Sequence, residues 1–258
     1  LKQFVVAALR TMGMVRHADN ARFQYVRRGT VARNATFHGV NPTLKMPPDR
    51  LLYETTSGVD HEGYYISGKD SADRFIGLID TYLPGAVNVA EWGCGVGRVI
   101  RHMPYTMTGM DYDPRMVAWC AENLGGTFVR NDLMPRAPFA DASFDAVYCW
   151  SVFTHLSEAA HVAWFAEMKR IVRPGGLFLF TTMSDGCRLS LRPDELSSYD
   201  AGQLVVRTDS REGGRTYASY ESARYVRDVL TKGSEIVAHR ATTPNVVDQD
   251  MWAVRFPV

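Results

Sequence analysis

Val87-Asn88-Val89-Ala90-Glu91-Trp92-Gly93-Cys94-Gly95-Val96-Gly97-Arg98 is the stretch that decides how this chain folds. Val87 to Ala90 is a short apolar run of strand length, Glu91 stands at its end, and three glycines follow at alternate positions. A bulky side chain at those positions would keep a bound group away from the backbone. A helix is expected from near Arg98 to a stop at Pro104. Alone, a Gly-rich turn is a weak signal, and a tight strand-to-helix connection with no ligand is its alternative.

Working outward, the same rhythm repeats. Phe75, Ile76, Ile79 and Leu83 share a helical face behind a Ser71 cap, and Pro84-Gly85 ends that helix. Thr106 to Met110 predicts a second strand, and Asp113 with Pro114 caps and opens a helix striped by Val117, Cys120 and Leu124 and closed by Gly125-Gly126. Thr127 to Arg130 and Phe144 to Cys149 predict two more strands. Ser157 caps a helix carrying Trp164, Phe165, Met168, Ile171 and Val172, and Pro174-Gly175-Gly176 turns into the apolar strand Leu177 to Thr182. Strands alternating with helices predict an α/β protein with a doubly wound, mostly parallel sheet. Residues 184–234 break the rhythm: a Gly213-Gly214 turn separates two β-like stretches, and a helix bears Tyr225, Val226, Val229 and Leu230. That length suggests a lid insertion. Glu235 to Arg240 and Met251 to Phe256 read as closing strands. The expected division is an extension over 1–70 and a main domain over 71–258.

The carboxyl ends of parallel strands form the ligand crevice of such sheets. After the second strand, Asp111 is placed to accept both hydroxyls of a ribose; Asp113, just before Pro114, is explained by helix capping. After the third, Asn131-Asp132-Leu133 offers an acid beside a backbone N–H, a pair suited to the edge of an adenine. A nicotinamide or flavin nucleotide site also has glycines after its first strand and an acid after its second. Here the glycines are spaced Gly-x-Gly-x-Gly rather than Gly-x-Gly-x-x-Gly, and Glu91 precedes them. A carboxylate there repels a pyrophosphate and suits a cationic ligand.

Glu91-x-Gly93-Cys94-Gly95-x-Gly97-Arg98, Gly109-x-Asp111, Asp132 and Pro174-Gly175-Gly176 together resemble the class I S-adenosylmethionine-dependent methyltransferase family over about Ala72 to Met183. The resemblance implies a Rossmann-like sheet of seven strands with an antiparallel last strand, S-adenosylmethionine as cofactor and S-adenosylhomocysteine as product. It places Glu91 and the turn Gly93, Cys94, Gly95, Gly97 and Arg98 against the methionine part, Asp111 on the ribose, and Asp132 with Leu133 on the adenine. Tyr112 would stack beside the adenine, and Trp150 and Ser151 would approach the amino-acid end. The Tyr64-Tyr65-Ile66-Ser67-Gly68 segment resembles the family's stretch that folds over the cofactor, so Tyr65 and Gly68 join the candidates.

Methyl transfer to a hydroxyl needs an aligned acceptor and a proton acceptor. His155, after the fourth strand, is the candidate base, with a structural role as the alternative. His155 and His161 are six apart, unlike helical metal ligands at i and i+4, and no metal is expected. The N-terminal aromatics and the Gln249-Asp250 pair before the last strand resemble bacterial methyltransferases that modify sugars and polysaccharides. The expected activity is O-methylation of a saccharide or glycan hydroxyl. The alternatives are a small secondary metabolite methylated on O, N or C, and a binding protein that keeps the fold without transfer. Tyr199, Tyr217 and Tyr220 could stack on sugar rings or fill a small core.

A net charge of +1 argues against nucleic acid as the main partner. Lys2, Arg10, Arg16, Arg22, Arg27, Arg28 and Arg33 make the start basic; a solvated helical face is the first reading, an acidic partner or membrane surface the second. Four scattered cysteines, Cys94, Cys120, Cys149 and Cys187, suit a reducing cytoplasm. No apolar run reaches the roughly 18 residues that cross a bilayer; the patch Phe4 to Leu9 stops at Arg10.

Overall fold

The computed structural model describes residues 15–207, 210–243 and 248–258. The chain divides into two compact units, one ending at Ser67 and one running from Gly68 to Val258. In the first, α1 (Val15–Val40) and α2 (Asp49–Thr56) are joined by Phe23 against Tyr53, with ring centres 5.3 Å apart. Asn34 donates to the Val59 carbonyl at 2.7 Å, and Arg27 and Arg33 pair with Asp49 and Asp60. Two members of the basic stretch are therefore used within the unit. Lys2, Arg10 and the patch Phe4 to Leu9 lie outside the described residues.

Helix α3 (His61–Tyr82) begins ten residues before the expected start, so Ser71 is an interior helical residue and not a cap. Gly68 explains the difference. A Cβ there would strike the carbonyl oxygen of Arg98, so a residue of poor helix propensity is kept for close packing.

The second unit holds one seven-stranded sheet. Its strands are β1 (Val89–Trp92), β2 (Thr108–Asp111), β3 (Thr127–Arg130), β4 (Phe144–Cys149), β5 (Val172–Thr182), β8 (Glu235–Arg240) and β9 (Asp250–Arg255). Their order is β3-β2-β1-β4-β5-β9-β8, parallel from β3 to β5, with β9 antiparallel to both neighbours. The strand β5 sits deep within it, and its alternation builds two cores. Phe178 and Phe180 face Trp164, Phe165 and Met168 of α5 (Glu158–Ile171), while Leu177 and Leu179 face Phe75, Leu78 and Ile79 of α3. Each fully buried side chain of this kind contributes about 1.5–3 kcal/mol. Strand β9 alternates the same way, Trp252 and Val254 to one core and Met251 and Ala253 to the other.

Between β1 and β2 the expected helix is absent. Ile100–His102 forms only a single 3-10 turn, since five residues between Arg98 and Pro104 cannot complete a stable helix. Helix α4 (Pro114–Asn123) is capped by Asp113, whose side chain accepts from the Arg115 amide. Between β5 and β8 lie α6 (Pro193–Asp200), the hairpin β6 (Val205–Arg207) with β7 (Ala218–Tyr220), and α7 (Ala223–Tyr225). The last runs directly into a π-turn over Val226–Leu230.

Candidate functional site

Strand β1 ends at Trp92, so Glu91 lies inside the strand and its carboxyl is buried. Burial raises its pKa to about 8, against the opposing pull of Arg98 and a 3.3 Å hydrogen bond from Tyr148 Oη. Asp111 is likewise the last residue of β2 and buried. Its Oδ2 accepts from the Gly95 amide at 2.8 Å and its Oδ1 from the Asp113 amide at 2.9 Å. Burial raises Asp111 to about 6 despite those two donors. Asp111 thus braces the glycine turn, a role the sequence reading did not assign.

In the turn Gly93 has φ +72°, and a Cβ there would strike Val152. The turn is therefore packed directly against the segment after β4. Cys94 is buried beside Cys120, and that contact with burial pushes its thiol well up. The Arg98 guanidinium donates to Ser71 Oγ at 3.0 Å and lies 5.2 Å from the centre of the Trp150 ring.

At the end of β3 the polar groups are exchanged relative to expectation. The Asp132 side chain is 84% exposed and 3.8 Å from Arg130, whereas Asn131 is 5% exposed. Asn131 Nδ2 donates to the Asp132 carbonyl at 2.7 Å, and its Oδ1 is buried without a hydrogen-bond partner. An orphaned buried acceptor costs stability unless something donates to it. Asn131 Oδ1 is thus a buried acceptor at this strand end, while the Asp132 carboxylate is exposed. The Leu133 carbonyl takes a hydrogen bond from Trp164 Nε1.

After β4, Ser151 adopts a left-handed conformation with φ +61°. Non-glycine residues hold that conformation only where surrounding structure imposes it. The following 3-10 turn, Phe153–His155, carries the candidate base. His155 Nδ1 meets the Tyr217 carbonyl at 2.8 Å. A carbonyl only accepts, so Nδ1 carries the proton and Nε2 is the basic nitrogen. Burial lowers the pKa of this imidazole, which keeps it neutral at pH 7.

The strap Ser210–Tyr217 of the insertion connects these ends. The Gly213 amide donates to the His155 carbonyl, Glu212 accepts from the Ser157 amide, and Tyr112 Oη donates to the Gly213 carbonyl at 2.9 Å. A Cβ on Gly213 would come within 2.8 Å of Leu133. Tyr112, Leu133 and His155 are thus gathered under one backbone turn.

Two other candidates are used structurally. Gly68 packs on Arg98, as described, and Tyr65 belongs to the first unit, where its ring lies 6.1 Å from that of Phe37. Tyr199, Tyr217 and Tyr220 are all buried, and Tyr199 and Tyr220 share a small core with Cys187, Leu191 and Val205. They fill the insertion and present no rings for stacking.

Residues 90–180 match the family described as a methyltransferase domain. A probable S-adenosylmethionine-dependent methyltransferase of Mycolicibacterium smegmatis is 31% identical over 126 residues, 46% of this chain and 48% of that protein. The malonyl-[acyl-carrier protein] O-methyltransferase of Erwinia pyrifoliae is 31% identical over 113 residues, 42% of each. The chain therefore spans less than half the length of these curated relatives. The crystal structure of the glycopeptide N-methyltransferase MtfA with S-adenosylhomocysteine has the same fold, with a TM-score of 0.54 at 16% identity, covering 74% of this chain and 90% of that one. Strand order, antiparallel closing strand and glycine turn form a class I methyltransferase fold, within which residues 90–180 match the methyltransferase domain family. S-adenosylmethionine is the methyl donor of that class.

The residues present fit that donor. Two buried carboxyls at adjacent strand ends, with raised pKa values, favour a ligand that brings positive charge and hydroxyl donors. Asn131 Oδ1 lacks a donor, as an amine-bearing base would supply.

Proposed function

We propose that the protein is an S-adenosylmethionine-dependent O-methyltransferase whose acceptor is a saccharide hydroxyl. The observation that carries the reading is His155, a neutral imidazole fixed through Nδ1 with Nε2 as its basic nitrogen, beside the glycine turn. The acceptor class is supported by the strap that clasps His155. It contains Arg211, Glu212 and Arg215 and no Leu or Phe, a composition suited to a hydroxyl-rich acceptor.

In this reading bound S-adenosylmethionine supplies an electrophilic methyl group on a sulfonium. Glu91, ionised by the ligand's charge, and Asp111 hold the cation and the ribose, and Asn131 with the Leu133 amide reads the adenine. Tyr112 under the Gly213 turn closes the adenine side against water. His155 Nε2 would take the proton of the acceptor hydroxyl, whose oxygen would replace the donor's sulfur on the methyl carbon and leave that sulfur as a neutral thioether, and the Tyr217 carbonyl would steady the imidazolium through Nδ1–H.

The test is mass spectrometry of products after incubation with labelled donor and panels of oligosaccharides and small phenols. A methylated oligosaccharide is expected; label transferred only to phenols would overturn the acceptor class. His155→Ala should keep S-adenosylhomocysteine affinity within about twofold and lower transfer by about 100-fold or more. Transfer at the wild-type rate would remove His155 as the base.

A further inference from the structure

The left-handed Ser151 lies where three strands meet. Its amide donates to Thr181 Oγ1 of β5 at 2.8 Å, and Thr181 Oγ1 donates to Gln249 Oε1 at 2.6 Å. Gln249 Nε2 donates to Ser151 Oγ at 2.8 Å, and Ser151 Oγ lies 2.9 Å from Thr154 Oγ1, which donates back to the Ser151 carbonyl at 2.9 Å. The directions are mutually consistent. Thr181 Oγ1 has accepted from an amide, so its own proton goes to an acceptor, which fixes the Gln249 amide with its oxygen toward Thr181. Reversing that amide would leave the Thr181 proton without an acceptor. Each hydroxyl proton of the ring and one of the two Gln249 amide protons is used once. Thr154 and Thr181 are fully buried, so water does not replace a broken link at low cost.

This ring fixes more than one serine. Val152 follows Ser151 and packs against Gly93, where no Cβ would fit, and His155 follows on the same short turn. Trp150 precedes Ser151 and stacks with Arg98. The backbone direction set at Ser151 therefore determines the glycine turn's wall and the imidazole's place together.

We propose that Gln249, brought in just before the last strand, is a positioning residue of the cofactor site that locks Ser151 in its left-handed conformation and through Val152 holds the glycine turn in its binding shape. The role rests on the reading of the crevice as an S-adenosylmethionine site. It also limits Ser151. With its hydroxyl proton committed to Thr154, Ser151 Oγ faces a ligand only as an acceptor, so it suits the ammonium end of the cofactor's amino acid and not the carboxylate.

The experiment measures S-adenosylhomocysteine affinity by calorimetry at pH 8, with melting temperature recorded alongside, for wild type, Gln249→Ala, Gln249→Glu, Thr181→Val and the Thr181→Val/Gln249→Ala double variant. Gln249→Glu keeps the shape and the acceptor toward Thr181 but offers no donor to Ser151, and it covers the case in which Gln249→Ala does not fold. Asp248, whose carboxylate accepts from the residue 249 amide and pairs with Arg74, and Asp250, paired with His239, are the charged groups beside it. We expect both Gln249 variants to weaken binding about tenfold and to lower the melting temperature by only about 2–4 °C. The double variant should bind within about twofold of Gln249→Ala, because one ring is broken only once. Affinity in both Gln249 variants within twofold of wild type, or losses that multiply in the double variant, would overturn the role. Absence of binding by folded wild type would overturn the cofactor reading itself and this role with it.

Discussion

The strand ends of β1 to β3 and the insertion between β5 and β8 differ in how their polar side chains are partnered. In the insertion most are matched to one another, although Ser210 Oγ and Tyr225 Oη are buried without a partner among the described residues. Arg207 donates to both oxygens of Glu195, Arg188 grips Asp200 with two nitrogens, and Tyr199 Oη donates to Asp185. Its deepest link is the fully buried pair of His161 Nε2 and Glu221 Oε1 at 3.0 Å, with Glu221 Oε2 accepting from the Met183 amide. At the strand ends Glu91 is held by Tyr148 and Asp111 by backbone amides, both with pKa values raised by burial as that of Glu221 is, and Asn131 Oδ1 has no donor among the described residues. Satisfied networks hold structure, whereas an unsatisfied cluster stores affinity for whatever satisfies it.

The largest expected effect lies on the structural side of that contrast. Glu221→Ala leaves His161 buried alone and should cost about 3–5 kcal/mol of unfolding free energy, read by urea denaturation; the folded fraction should keep its affinity for S-adenosylhomocysteine. A loss below about 1 kcal/mol would show that this pair does not anchor the insertion. The smaller effect lies at the strand ends. Asn131→Ala should weaken S-adenosylhomocysteine about tenfold without lowering the melting temperature, since an unpaired buried acceptor is removed. Asp132→Ala, next to it, should change neither. If Asp132→Ala weakens binding and Asn131→Ala does not, the two side chains have been assigned the wrong way round.

Most of the sheet was legible because apolar runs bounded by turn residues report strands directly: β3, β4 and β8 fall on the residues their sequences predict. The parallel pairing followed from the alternation of strands and helices, and the antiparallel β9 from the family resemblance. Local propensity failed where packing decided the outcome. Ser71 looked like a cap before the apolar face that starts at Phe75, yet α3 begins at His61 and runs through Gly68, which lies on Arg98. The expected helix at Tyr225 to Leu230 closes with a π-turn, a geometry no periodicity announces. In the site, the acids Glu91 and Asp111 were visible as residue types, but their burial within the strand ends was not. Asp132 attracted attention by its charge, while its neighbour Asn131 is the one turned inward. The pair of His161 and Glu221 and the ring through Gln249 join residues 60 and 98 positions apart, and no local pattern signals them.

The central claim is that the unsatisfied cluster at the strand ends binds S-adenosylmethionine through its charge. Glu91, with a pKa of about 8 in the free protein, is mainly protonated at pH 7. A bound cation favours its ionised form, so binding releases a proton below pH 8 and strengthens as pH rises from 6 to 8. The direct measurement is calorimetric titration with S-adenosylmethionine at pH 7 in two buffers of different ionisation enthalpy. The account predicts binding with release of about one proton per cofactor; a folded protein that binds no cofactor, or binds it with no proton released, would contradict it.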